Sequence, residues 1–367
     1  MTTGDALRRA ILAEPDDDTA RLVYADWLDE HGEGDRAAFI RAQIEVAREE
    51  PFGRKARAAE AIAKDLRGEN WKEWTATIRD QVLDLRFERG FIAHVDMETG
   101  AFHRNGREVF AEHPIQSLRL VPHTNPEYRT ELAPVFGLSC LARLKRLAFA
   151  PQTDFLYDDH EAIAGSEHLA GITDLAIAGN AIFPPWLTEL LRGEKFPALV
   201  GLDVADVSHL GPALAAALAR ADHRGFRRLD LSRIRFTSDQ LLQILHSRCL
   251  RSVEELQLGW SPLRPDDTGP LFHINIGWVI PWDRLVVLDL GGQRLGDEGV
   301  KELVGKPEVG ALRWLGLSDN RLTREGVRML TGSKFLKLNH LDIRGNTLTP
   351  SLIVELKDRF PDAVVLG

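Results

Sequence analysis

Apolar residues recur along this chain in one fixed phase: a large apolar residue, two positions skipped, a second, one position skipped, and a third. Leu312, Leu315 and Leu317 show it most clearly, followed by Asn320 and Leu322. The alternation around Gly316 is what one buried face of a strand requires. Asn320 suits the turn that follows, because its side chain can bond backbone groups left open at a strand end. The phase returns at Leu338/Leu341/Ile343 with Asn346, and at Leu285/Leu288/Leu290 with Gln293. Further back stand Val253/Leu256/Leu258, Phe226/Leu229/Leu231, Leu199/Leu202/Val204 and Ile172/Leu175/Ile177. Fainter copies are Leu144/Leu147/Phe149, Ile115/Leu118/Leu120 and Ile92/Val95/Met97. First positions are separated by 23, 29, 28, 27, 27, 27, 32, 27 and 26 residues. Phe360, Ala363 and Val365 form a shortened copy after the last, as a terminal cap requires.

A period near 27 leaves room for a helix after each strand. Thr237 with Gln240 makes a capping-box pair ahead of Leu241, Leu242, Ile244 and Leu245. Thr349-Pro350 marks another helix start, with proline where its missing N–H costs nothing. Val121-Pro122 and Ala150-Pro151 replace the usual turn in early copies, so those strands should end early. Ahead of the repeats, residues 4–49 read as three short helices. Asp18 is placed to cap the second, and Asp26 and Asp29 to pair with Arg21 and Arg36. Residues 51–88 read as mostly helical, with a stripe from Ala56 through Trp71, Trp74, Ile78 and Val82. The expected organisation is a helical domain at 1–50, a helical linker or N-terminal cap at 51–90, and about ten α/β repeats with a C-terminal capping strand at 91–367.

The motif at 312–322, L-x-x-L-x-L-x-x-N-x-L, resembles the leucine-rich repeat, and its period with helical returns is similar to the ribonuclease-inhibitor class. Arg228-Leu229-Asp230-Leu231-Ser232 and Leu295-Gly296-Asp297-Glu298-Gly299-Val300 lie close to that class's consensus. The resemblance covers about three quarters of the chain and implies an α/β solenoid: a horseshoe with a parallel sheet on its concave face and helices on its convex face. Residues 11–32 and 36–43 resemble the small all-α "repeat-companion" domain of bacterial proteins, which stands ahead of such repeats and carries no motif of known chemistry.

Composition changes this picture little. The hydrophobic share is 44% and the charged share 28%, ordinary for a soluble protein. The net charge is -9, of which residues 1–50, with 6 Lys/Arg against 13 Asp/Glu, hold -7 and the remainder -2. Such acidity argues against nucleic acid and against an anionic membrane surface. The two cysteines, Cys140 and Cys249, stand in no metal spacing and read as free thiols of a reducing, cytoplasmic compartment. No phosphate loop, nucleophile elbow or zinc-protease motif appears, so no enzyme, cofactor or metal is expected. Cys249 with His246 as a nucleophile is outweighed by packing at a repeat helix. The acidic residues 16–18 read as helix N-terminal charge rather than a metal site.

Candidate binding residues come from the outward strand positions. One column runs Asp96, Arg119, Ala148, Ala176, Asp203, Asp230, Gln257, Asp289, Gly316, Asp342; the column before it carries Arg228, Glu255, Val287, Trp314 and His340. Arg228, Asp230, Gln257, Asp289, Trp314 and Asp342 are the expected concave-face contacts. The aspartates could form a ladder for a basic partner, or be repeat consensus. The long 32-residue interval carries Trp260, Phe272, Trp278 and Trp282, which either fill space opened by the extra residues or form a sticky lobe. Arg224, Arg227, Arg228, Arg233 and Arg235 could meet an acidic group, unless Asp222, Asp230 and Asp239 neutralise them. The expected function is a non-enzymatic scaffold, monomeric on its own, that binds a protein through the repeat face. The alternative is a regulatory, inhibitor or sensor subunit controlling an enzyme.

Overall fold

The computed structural model describes residues 2–125, 127, 130–151, 153, 155, 157–180, 182, 184–221, 225–260, 282, 284–361 and 363–365. The chain divides into two compact units, Met1–Ile172 and Thr173–Gly367.

The first unit opens with four helices: α1 (Thr3–Ala13), α2 (Asp18–Glu30), α3 (Gly34–Arg48) and α4 (Arg54–Trp74). Thr2 and Asp5 form a capping box on α1. The cap of α2 is Asp17, whose carboxylate accepts from Thr19 N–H; Asp18, one residue inside, instead meets Arg48 and Arg89. This corrects the expected cap by one position. Ala25, Leu28, Ala37, Ile40 and Ile44 form the core between α2 and α3, with Tyr24, Trp27 and Phe91 packed on it. Asp26 and Asp29 both pair with Arg41, not with Arg21 and Arg36. The physical reason is that both other arginines are turned inward. Arg21, only 2% exposed, donates to the carbonyls of Pro15 and Arg89, and Arg36 donates to the Gly90 carbonyl.

Helix α4 stops at Trp74, followed by turns and then strand β1 (Asp84–Glu88), so the helical reading of 51–88 fails at its end. Leu85 and Phe87 are buried while Asp84, Arg86 and Glu88 are exposed, a period-two pattern that outweighs the four-residue spacing of Trp74, Ile78 and Val82. β1 runs antiparallel to β2 (Phe91–Glu98) through a turn in which Arg89 (φ 49°) and Gly90 (φ 83°) are both left-handed, the geometry that matches strand twist. The turn is clamped to α3, with Gly90 N–H donating to Gln43 Oε1 and Arg36 donating to Gly90 O. After α5 (Thr99–Glu112), strands β3 (Ser117–Val121) and β4 (Arg146–Phe149) continue parallel to β2, with α6 (Leu132–Phe136) between them and α7 (Tyr157–Gly165) closing the unit. β3 has five residues and β4 four, longer than the three-residue strands downstream, which corrects the expectation of early ends. Pro122 and Pro151 lie past the last strand residue and remove no ladder bond.

The second unit is a parallel ladder. Its strands are β5 (Asp174–Ala176), β6 (Gly201–Asp203), β7 (Arg228–Asp230), β8 (Glu255–Gln257), β9 (Val287–Asp289), β10 (Trp314–Gly316), β11 (His340–Asp342) and β12 (Val364–Val365). Each pairs in register with the next. The middle residue of every three-residue strand is a buried leucine, and the next apolar residue after each strand (Ile177, Val204, Leu231, Leu258, Leu290, Leu317, Ile343) is buried too. Fully burying each contributes about 1.5–3 kcal/mol. Return helices α8 (Pro184–Leu191), α9 (Gly211–Arg220), α10 (Ser238–Leu245), α11 (Gly296–Val304), α12 (Arg324–Gly332) and α13 (Pro350–Arg359) follow their strands. The capping box at Thr237/Gln240 and the cap at Thr349 ahead of Pro350 both form. All ten expected phases carry a strand, β2 to β11, and the shortened copy carries β12.

Turns between strand and helix are tied by side-chain amides. Asn320 is fully buried; its Oδ1 accepts from Leu295 N–H, and its Nδ2 donates to Leu290 O and Ser318 O. Asn346 repeats this one turn later, donating to Leu317 O and accepting from the N–H groups of Asn320 and Leu322. Gln293 donates to Leu258 O. Each amide therefore joins its own turn to that of the repeat before it.

Candidate protein-interaction surface

The outward positions of β5 to β11 form one continuous ladder, because strict register stacks equivalent residues. Arg228 does not stand free on it. Its Nε and Nη2 lie 2.8 and 2.6 Å from one oxygen of Asp174, two strands away. Gly201 lies between them and makes the bridge possible: a Cβ there would stand 2.1 Å from Asp174 Oδ1. Arg227 meets Glu254 at 3.8 Å. Among the described residues, Arg228 and Arg227 thus pair with Asp174 and Glu254 rather than with Asp230 or Asp239. Arg224 and Asp222 fall outside the described residues.

The aspartate column is largely occupied with its own turns. Asp203 accepts from Ala205 N–H, Asp230 from Ser232 N–H and Oγ–H, Asp289 from Gly291 N–H, and Asp342 from Arg344 N–H and guanidinium. These bonds satisfy backbone N–H groups where each strand ends. Gln257 sits half-buried in register between Asp230 and Asp289. Burial pushes the Asp289 carboxyl above its ordinary value; Gly291 N–H opposes the shift, and the charges of Asp342 and Asp230 add to it. At Asp342 burial acts the same way, but the bonds to Arg344 outweigh it and the carboxyl lies low. Of these two carboxylates, Asp289 is the less comfortable anion.

Around Asp289 the aromatic residues gather. Trp260 is 50% exposed, held at φ 58° against Gly291 and Gly292. Trp314 lies flat on His340, with ring centroids 5.4 Å apart and planes 7° from parallel. Gly316 gives both neighbours room: a Cβ there would stand 2.3 Å from Asp289 Oδ1 and 2.8 Å from Trp314 Cη2. The result is a strip running Trp260, Asp289, Gly316, Trp314, His340. Of the two readings of the tryptophan-rich interval, Trp260 follows the exposed one and Trp282, 6% exposed, the packed one. Phe272 and Trp278 lie outside the described residues. Asp174 was missed as a member of the surface, and His340, placed in the outward column, was left out of the expected contacts. Both could have been found from the period, since His340 follows Trp314 by 26 residues, and Asp174, Gly201 and Arg228 are spaced 27 apart.

The remaining chemistry is quiet. Cys249 is buried against Ser247 Oγ and Leu218 O, and burial raises its thiol pKa, so it is held as a thiol. His246 is bound to Leu242 O. Among the described residues, no three His, Cys, Asp or Glu side chains converge as a metal site, and no helix is long and apolar enough to cross a membrane.

No family model matches the chain, and no curated protein matches it. Among solved structures it is similar to a chain in the crystal structure of the Rad7 and Elc1 complex in yeast. Identity is 13%, the match covers 93% of this chain and 89% of that one, and the TM-score is 0.50. At that identity the likeness concerns the fold. Together with the strand ladder and the amide-tied turns, it decides the architecture. The repeats form a leucine-rich-repeat-like solenoid of α/β class.

Proposed function

We propose that this protein is a non-enzymatic interaction scaffold whose partner is a protein, bound on the outward strand face of the second unit. The carrying observation is the Trp260–Asp289–Trp314–His340 strip. Rigid, partly exposed aromatic residues on a packed ladder are what interface hot spots are made of, and here they stand on backbone already fixed by its own turns. The similar fold found in the Rad7 and Elc1 complex agrees with a role in assembly. In this reading the face is concave, the repeats are of the ribonuclease-inhibitor-like class, and the protein is bacterial, cytoplasmic and monomeric by itself. Residues 1–50 form a repeat-companion module, 51–90 the element that joins it to the repeats, and 91–367 the repeats.

The reading predicts the behaviour of a double variant, Trp260→Ala with Trp314→Ala. Quantitative affinity capture from host lysate should lose one stoichiometric protein by about tenfold or more, since two hot-spot truncations cost upward of about 2 kcal/mol. Circular dichroism and the thermal midpoint should stay near those of the unaltered protein. Equal capture by both forms would remove the strip from the interface.

A further inference from the structure

The first unit contains a cavity of about 190 Å³ lined by α1, α2, α3, the end of α4, and β1 and β2. Its walls are mixed, with Ile11, Leu12, Trp74, Phe87, Phe91 and Ile92 forming the apolar part. An apolar cavity of ~150 Å³ takes a benzene molecule, so this one has room for a single ring with a small polar group.

Arg36 lines this cavity in an unusual state. Its guanidinium carbon lies 4.6 Å from the Trp74 ring centre and 5.4 to 5.5 Å from those of Phe39, Phe87 and Phe91. Nη2 donates to Gly90 O, while Nη1 is buried with no hydrogen-bond partner. Among the described residues no carboxylate pairs with Arg36. A cation enclosed by rings without a counter-ion is costly, and burial presses its pKa down to about 10. Arg8 lines the same cavity from an exposed position. His113, which also lines the cavity and is hydrogen-bonded to Thr77 Oγ1 at 3.3 Å, is driven to a pKa of about 4 by burial and by the charges of Arg8 and Arg36. Arg36 is thus the enclosed cation of this cavity, while Arg8 stands at its exposed side. Glu33, Glu73 and Glu112 also line the cavity, but at exposed positions where water screens them.

We propose that this cavity is a binding site for an apolar organic monocarboxylate, whose carboxylate takes the open donor of Arg36 and the charge of Arg8 while its hydrocarbon body fills the aromatic pocket. The carboxylate can belong to a free small acid or to the C-terminal apolar residue of a peptide. The site is independent of the strand face of the second unit.

The test is calorimetric titration of the full chain with phenylacetate, phenylacetamide, inorganic phosphate, and a pentapeptide ending in leucine as free acid and as amide. Phenylacetate or the free-acid peptide should bind one to one. Its amide and phosphate should be at least about tenfold weaker, because a charge-assisted bond is lost or misplaced. Arg8→Gln, at an exposed position, should fold normally and weaken binding by about fivefold to tenfold. Saturation should also raise the His113 pKa in a proton NMR titration, a shift that mere packing changes would not give. Tighter binding of the free-acid peptide assigns the source to a chain end, and tighter binding of phenylacetate to a small acid. Absence of saturable binding by both acids, equal binding of acids and amides, or no effect of Arg8→Gln would overturn the proposal.

Discussion

Gly90→Ala should destabilise the first unit by roughly 4 kcal/mol, whereas Gly32→Ala should cost only about 1 kcal/mol. Both glycines sit at φ 83°, so both variants carry the same left-handed backbone cost. They differ in their surroundings. A Cβ on Gly32 meets nothing within 4 Å, while one on Gly90 would lie 2.4 Å from Ile40 Cγ1 and 2.7 Å from Ile40 Cα. The second of those atoms is backbone inside α3 and cannot step aside. The β1–β2 turn would have to lift, parting Gly90 from both Gln43 and Arg36. Arg36 would then hold a second buried donor without an acceptor, which is where most of the cost arises. Urea unfolding followed by hydrogen exchange in α3 and β2 would measure the difference. Equal effects of the two variants would mean that the turn is not seated on α3.

Asn320→Ala should cost about 3 kcal/mol in the second unit, because three backbone groups lose their partner in a fully buried turn. Asn320→Asp should be worse at neutral pH, since a carboxylate keeps the acceptor for Leu295 N–H but loses both donors and buries a charge. Acidification should narrow the gap between the two variants as the introduced carboxyl protonates. The denaturation midpoint at neutral and acidic pH reads this directly. An Asp variant as stable as the Ala variant at neutral pH would show that the turn is open to water.

The repeat architecture was legible because one physical demand is made ten times. A strand whose middle residue must be buried at a fixed phase leaves Leu229, Leu288, Leu315 and Leu341 in the sequence at near-constant spacing. Asn320 and Asn346 were legible for the same reason, as the side chains that close the turns. Strand β1 was not, since five residues in an antiparallel hairpin carry a weaker signal than a helical stripe of tryptophans. The ion pairs of the first unit were misassigned because proximity in sequence favoured Arg21 and Arg36, while aromatic packing drew both inward and left Arg41 to Asp26 and Asp29. Trp260 and Trp282 could not be told apart by pattern, because exposure in an insertion depends on tertiary packing alone. The Asp174–Arg228 bridge lay in plain register yet needed the gap at Gly201 to be noticed.

The most direct test of the interaction surface is a photo-crosslinking side chain placed at position 314, on the outward strand face, compared with one at Val354, which is 58% exposed on the return helix α13. Irradiation in host lysate should give one dominant protein adduct from position 314 and none from position 354. An adduct from position 354 alone, or none from position 314 under conditions where capture succeeds, would place the partner elsewhere on the molecule.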